Sequence, residues 1–411
     1  MMQKSKLSYT DINRMMTENF SLDKERIPLE GTGQEIIVNT FNSTAHQNLP
    51  GEDDHIKKNP AFLALLKYYL SKSAAANKEI FNSLKTPDKD IEENNSFQYP
   101  ILKPTGTGKS RGVIILLHGL NERSWLKYLP WASKLADKTG KTVIMFPIAF
   151  HMNRSPEAWS NIRRMMPVTK ERQALHPDLE ASSFANAAIS YRMQFAPQRF
   201  VLSGIQTFLD VVKLIETIRS GEQEEIREDA SIDFFGYSIG ATLTEVLMMA
   251  NPMGLFNKSK AFLFCGGPAL NLATPVHRAI IDNQAFTSLI QLFHNILDGK
   301  AEELASLESS SKNHVYKYLK SLLLFERMKD ERDSRLMEIQ DRFKVLTLKK
   351  DRVMVPEQLE KTFEGSGIEV ETEDFAFNYS HENPFPVNVP EEVLVNTALE
   401  TVMTRAADFF I

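Results

Sequence analysis

The sequence predicts an α/β chain: a mostly parallel, doubly wound sheet, flanked by helices on both faces and carrying a helical insertion. Three observations predict it. From Gly112 onward, short runs rich in β-branched and aromatic residues alternate with helix-forming segments, which is the pattern of a parallel sheet. The run Val113-Ile-Ile-Leu-Leu117 is apolar throughout, as a strand covered on both faces is. Between the apolar run ending at Cys265 and the one starting at Phe343, the interval is longer than a single crossover helix needs.

Composition bounds the possibilities. A chain of 411 residues, 42% apolar and 25% charged, can bury a large core as one enlarged domain or as two. A net charge of -5 gives no electrostatic reason to expect nucleic acid or an anionic membrane as a partner. The one cysteine, Cys265, excludes an intrachain disulfide and fits a reducing compartment; it ends an apolar run and is expected in the core. The first ten residues contain no apolar stretch of signal-peptide type, and no run of about 18 apolar residues occurs. The expectation is a cytoplasmic chain with no membrane span, no cofactor and no metal; the oligomeric state is left open.

Residues 1–95 are mostly polar with helical islands, the strongest at 59–70, and are expected to form a mainly helical extension packed on a core of residues 96–411. Short β-prone pieces at 35–38 and 97–102 are expected as antiparallel edge strands. Gly106-Thr-Gly-Lys-Ser110 resembles the end of a phosphate-binding loop, but Lys103 stands where its first glycine belongs. It also precedes a strand instead of following one, so a plain turn is expected.

The strand at 113–117 is followed by a helix at 124–138 and a strand at 142–146. A long excursion over 148–203 then holds His151, Arg154, Trp159, Arg163 and Arg164. His151, Arg154 and Trp159 are candidate substrate contacts if the excursion folds back over the site, although solvated surface charge is the commoner reason for exposed arginines. A helix at 205–220 and a strand at 232–235 come next, then a helix at 241–250 and a strand at 261–265. Helical stretches at 286–297 and 315–327 lie within an insertion over about 270–340. They are lid material if they cover the carboxyl ends of the strands, or simply packing. The chain closes with a strand at 343–348, a helix at 355–363, a strand at 368–375, a loop around His381 and a helix at 391–410.

One stretch carries chemistry. The strand at 232–235 runs straight into Gly236-Tyr-Ser-Ile-Gly240 and then into a helix, the layout of a nucleophile elbow. A serine on so sharp a turn needs neighbours two before and two after with almost no side chain, which Gly236 and Gly240 supply. The following helix offers free N–H groups to a developing oxyanion. Tyr237, beside the serine, is a further candidate substrate contact.

A serine hydroxyl is a weak nucleophile and needs a base, which in turn needs an orienting carboxylate. Asp351 is the first acid after the strand at 343–348, with Glu373 or Asp374 as competitors; His381 is the histidine that follows the last strand, with His277, His294 and His314 of the helical insertion as competitors. The order Ser238, Asp351, His381, each after its own strand, resembles the α/β-hydrolase superfamily from about residue 111 to the end, in the form of a bacterial-type serine hydrolase with an N-terminal extension and a helical lid. The resemblance implies that fold, with Ser238 as nucleophile, His381 as base and then acid, and Asp351 orienting it. It extends to His118-Gly119-Leu120-Asn121, which looks like the family's oxyanion loop, with His118 structural. In that reading the backbone N–H groups of Ile239 and Leu120, or less favourably Asn121, cradle the oxyanion. The implied activity is cleavage of a small-molecule carboxylic ester, thioester or amide. Acyl transfer, or a silent binding protein on the same scaffold, are the alternatives.

Overall fold

The computed structural model describes residues 7–50, 75–308 and 313–411; the helical stretch expected at 59–70 lies outside them. The strands are β1 (Arg26–Leu29), β2 (Gln34–Asn42), β3 (Ser96–Pro104), β4 (Ser110–Leu117), β5 (Thr142–Met145), β6 (Ile226–Tyr237), β7 (Ala261–Phe264), β8 (Phe343–Leu348) and β9 (Val370–Glu373). They form one sheet in the order β1-β2-β3-β5-β4-β6-β7-β8-β9. From β5 to β9 across the sheet all neighbours are parallel, while β1, β2, β3 and β5 pair antiparallel in turn. This is the α/β-hydrolase fold.

The longer helices are α1 (Tyr9–Asn19), α2 (Ala75–Lys85), α3 (Leu129–Thr139), α4 (Ile162–Leu175), α5 (Ala187–Phe195), α6 (Gln198–Arg219), α7 (Ile239–Ala250), α8 (Asn283–Leu297), α9 (Asn313–Ser321), α10 (Lys329–Met337), α11 (Pro356–Phe363) and α12 (Glu392–Phe410). The two-residue period of a strand distributes its side chains between two cores. Val113, Ile115, Leu117 and Phe234 pack with Val201 of α6 and Leu247 of α7. Ile114, Leu116 and Phe235 pack on the other face with Ile12 of α1, Trp131 of α3 and Leu399 of α12. Both faces are covered, hence the uninterrupted apolar runs.

Local chemistry explains where elements begin and end differently from the sequence expectation. The helix expected from 124 starts at Leu129, because Pro130 occupies its first turn, and ends at Gly140, whose φ of 67° makes the left-handed cap. Strand β6 is longer than expected, beginning at Ile226 where it joins β4 through Ser110. Its exposed charges Arg227, Glu228 and Asp229 hide that part from an apolar pattern. The 97–102 stretch is an interior strand, and β2 pairs along all of β3, so the pairing crosses the line between residues 95 and 96. Residues 105–109 form a turn that leads into β4, as expected of this stretch, and Ser110 is already in the strand.

The segments 148–203 and 270–340 are bound to each other. Arg172 of α4 donates through Nε (3.0 Å) and Nη2 (2.6 Å) to Asp282 Oδ2 at the start of α8, and both side chains are fully buried. Asp282 Oδ1 also caps α8 by accepting from the Ala285 N–H at 3.0 Å. Asn186 Nδ2 donates to the His277 carbonyl at 3.1 Å, and Ser183 Oγ to that of Arg278 at 2.5 Å. None of the described helices is long and apolar enough to cross a membrane.

Candidate active site

In a doubly wound sheet, ligands bind beyond the carboxyl ends of the strands where the strand order reverses. Here that point lies at β4 and β6, which stand side by side with Leu117 opposite Gly236. Ser238, between β6 and α7, has φ 57° and ψ −122°, a conformation that a non-glycine residue holds only under constraint. Three glycines supply the constraint. A Cβ on Gly240 would sit 2.3 Å from the Leu117 carbonyl oxygen, and one on Gly236 2.6 Å from Ala241 Cα. Gly266, just past the end of β7, presses on Ser238 itself; its Cβ would lie 2.3 Å from the Ser238 carbonyl oxygen.

The structure brings Ser238, Asp351 and His381 together. Ser238 Oγ lies 2.8 Å from His381 Nε2, and His381 Nδ1 lies 2.7 Å from Asp351 Oδ2. All three are buried. Asp351 Oδ1 accepts from the backbone N–H groups of Val353 (2.8 Å) and Met354 (2.9 Å). A carboxylate facing His381 only accepts, so Nδ1 carries the proton and Nε2 is left to accept from the serine hydroxyl. The competing acids are engaged elsewhere: Glu373 with Arg405, and Asp374 with Lys349, Lys350 and Tyr379.

Tyr237, expected as a substrate contact, lies instead beneath His381. Its ring stacks on the imidazole, with centroids 5.5 Å apart and planes 15° from parallel, and its hydroxyl donates to the His381 carbonyl. It is buried because the side chain before the serine points into the core opposite the pocket. Cys265 is buried as expected, and burial, with Asp351 beside it, pushes its thiol well up, so it stays protonated.

Gly119 lies against Ser238, with room for a Cβ only 3.4 Å from the serine Cβ. Its N–H donates to the Tyr128 hydroxyl at 3.1 Å. Among the described residues the backbone N–H groups of Leu120, Asn121 and Ile239 donate to nothing; that of Ile239 is the first of α7, where the helix offers unsatisfied donors. His118 is structural: Nδ1 donates to the Gly119 carbonyl at 2.8 Å and Nε2 accepts from the Ile148 N–H at 2.9 Å. Burial, then His151 nearby, pushes its pKa well down.

An apolar pocket opens at Ser238, walled by Leu120, Ile239, Phe286, Leu289, Phe293 and Met354. Phe286, Leu289 and Phe293 share one face of α8 at helical spacing, a signal already present in the sequence. An adjoining cavity shares Leu120, Phe200, Ile239 and Leu270 and adds His151 and Thr242. His151 and Trp159 line a third chamber. Trp159 Nε1 donates to Ser83 Oγ at 2.8 Å. Arg154 faces none of these cavities: it is fully buried, paired with Asp210 at 2.8 Å, and bonded to the Pro147 carbonyl at 3.0 Å. A guanidinium so buried needs that partner more than it can serve a ligand. Arg164 is an exposed surface residue paired with Glu79, and Arg163 is exposed as well. No metal-holding group of three His, Cys, Asp or Glu occurs among the described residues.

Burial pushes the pKa of His151 down from 6.5 to about 4. The unfolded chain therefore takes up a proton in this window that the native state refuses. The contribution is intact above about pH 6.5 and is lost as pH falls toward about 4, on the order of 3 kcal/mol in all. In denaturant titrations at several pH values His151→Phe is expected to flatten that loss; an unchanged slope would contradict it.

The model of a family of unknown function (DUF6051) matches residues 7–411. No curated protein matches the chain in sequence. Among solved structures, a thermostable esterase from Pseudomonas putida is similar at 11% identity and a TM-score of 0.46, over 98% of this chain and 91% of its own. A carboxyl esterase from the fungus Tuber melanosporum is similar at 12% identity and a TM-score of 0.40, over 77% and 82%. One of two esterases from Rhizomucor miehei shows 16% and 0.39, over 76% and 80%. Likeness this distant carries no weight for activity.

Proposed function

We propose that this chain, which belongs to the DUF6051 family of unknown function, is a serine hydrolase that cleaves a carboxylic ester, thioester or amide through an acyl-enzyme on Ser238. The observation that carries this reading is the continuous hydrogen-bonded series from Ser238 Oγ through His381 to Asp351. A binding protein has no physical need for such a series above three glycines that force the serine into a strained turn.

His381 Nε2 takes the hydroxyl proton as Ser238 Oγ attacks the substrate carbonyl. Negative charge then grows on the carbonyl oxygen, and the N–H groups of Leu120 and Ile239 receive it. Collapse expels the alcohol, thiol or amine, which takes its proton from His381. Water then enters, His381 deprotonates it, and attack on the acyl carbon releases the acid and restores Ser238. Asp351 holds the imidazole in the required tautomer and stabilises its charged form. Helix α8, which walls the pocket and is tied to α4 by the Arg172–Asp282 pair, acts as a lid that excludes bulk water.

Turnover of p-nitrophenyl esters tests the proposal, with a fluorophosphonate probe as the second readout. The chain is expected to hydrolyse the ester, to lose activity on labelling and to take up one probe. Inertness to both the esters and the probe would refute it.

A further inference from the structure

The loop His118-Gly119-Leu120-Asn121 is not held by its own turn alone. Asn121 sits in the left-handed region at φ 62°, and its side-chain amide reaches two segments distant in sequence. Nδ2 donates to the Ala185 carbonyl at 2.9 Å and to the Ala279 carbonyl at 2.7 Å. Both partners are carbonyl oxygens, which only accept, so the nitrogen of the amide and not its oxygen faces them. Ala185 belongs to the 148–203 segment. Ala279 belongs to the 270–340 segment and directly precedes Ile280 and Ile281 of the Ser238 pocket wall. The Ala185 carbonyl also accepts from Arg123 Nη2. Close by in sequence, Ser183 and Asn186 donate to the carbonyls of Arg278 and His277. One NH2 group thus closes a joint where the loop and both insertions meet.

Conformation alone does not require an asparagine here. Asparagine tolerates a positive φ better than most residues, but Phe150 and Met152 hold φ of 64° and 52° in this chain with apolar side chains, and glycine would hold it without strain. Neither bond from Nδ2 serves the turn itself. Both run outward, to the two segments that cover the site.

We propose that Asn121 is a positioning residue: through Nδ2 it ties the loop to both insertions and so fixes the Leu120 N–H where the carbonyl oxygen of the substrate gains charge. The inference rests on the proposed hydrolase reading for what that N–H does, but the tie itself can be measured without turnover. A donor aimed at the oxyanion acts chiefly in the transition state, so displacing it lowers kcat and leaves KM nearly unchanged. A displacement of about 1 Å is enough to cost on the order of 10²-fold. Because the tie runs to the insertions, oxyanion stabilisation depends on their being seated over the site.

Two variants separate the tie from the turn. Asn121→Gly keeps the backbone conformation and removes the amide, while Asn121→Asp keeps the shape and presents only acceptors to two carbonyls. With a p-nitrophenyl ester both are expected to lower kcat by about 10²-fold, Asp at least as much as Gly, and to leave KM within about threefold of the unaltered chain. Affinity for a trifluoromethyl ketone carrying the same acyl group, whose adduct with Ser238 puts an oxyanion at the same donors, is expected to fall in step with kcat/KM. An asparagine that merely stabilised the fold would shift the melting temperature and leave kcat and this affinity unchanged. In hydrogen exchange, peptides over 183–186 and 277–281, which hold N–H groups bonded within their own segments, are expected to exchange about tenfold faster in Asn121→Gly. Should Asn121→Asp not fold, Asn121→Gly carries the test. Full kcat in Asn121→Gly overturns the inference and leaves the hydrolase reading intact, and unchanged exchange in both peptides overturns it as well. An unaltered chain inert to esters and to a fluorophosphonate defeats the hydrolase reading, and exchange alone then decides on the tie.

Discussion

Ser238→Ala is expected to lower kcat for ester hydrolysis by about six orders of magnitude while the fold is retained. The change removes one oxygen and leaves the elbow in place, because Gly236, Gly240 and Gly266 constrain its backbone. Asp351→Asn is expected to cost about 10⁴ in kcat. An amide there donates where the carboxylate accepted. With its oxygen still accepting from the N–H groups of Val353 and Met354, its NH2 faces His381 and turns the imidazole proton toward Ser238. Because the three side chains act as one device, Ser238→Ala combined with His381→Ala should be scarcely slower than Ser238→Ala alone. Steady-state kinetics on one p-nitrophenyl ester, with circular dichroism to confirm folding, checks all three. Additive losses in the double variant would contradict the coupling seen in the 2.8 Å and 2.7 Å contacts.

The largest expected effect on stability comes from Arg172→Met, which should cost about 3–5 kcal/mol. Both partners of the Arg172 and Asp282 pair are fully buried, so losing the guanidinium leaves a carboxylate in the interior with only part of its hydrogen bonding. Asp282 also caps α8 through its other oxygen, and the damage should therefore spread into the helix whose Phe286, Leu289 and Phe293 wall the Ser238 pocket. Adding Asp282→Asn to Arg172→Met removes the stranded charge and retains a side chain suited to capping, so it should recover part of the loss. Urea unfolding of the single and double variants measures this. Equal stability of Arg172→Met and the unaltered chain would mean that the pair does not join the two segments energetically.

Much of the fold and the three central side chains were legible in the sequence because each rests on local chemistry. Apolar runs mark strands buried on both faces, and Gly236 and Gly240 mark a turn that tolerates no side chain. Asp351 and His381 each follow a strand end, where a sheet gathers residues distant in sequence. What was not legible depends on long-range packing. The charged start of β6 pairs through its backbone with Ser110, which no side-chain pattern reveals. Arg154 looked like a surface or substrate contact because its partner Asp210 lies far along the chain. Tyr237 could not be assigned without knowing which side of the elbow faces the core. The bond between α4 and α8 was equally hidden, since a buried ion pair between two insertions leaves no periodic trace. The pocket lining was partly legible in the spacing of Phe286, Leu289 and Phe293, but its destination at Ser238 was not.

The most direct test of the proposed chemistry is to mix the chain with a p-nitrophenyl ester of a slowly released acyl group, quench in acid during the first turnover, and map the acylated peptide by mass spectrometry. The expected result is a burst of p-nitrophenol matched by an acyl group on Ser238 and absent from Ser238→Ala. Ester turnover with no acyl group on Ser238, or with the acyl group on another residue, would contradict it.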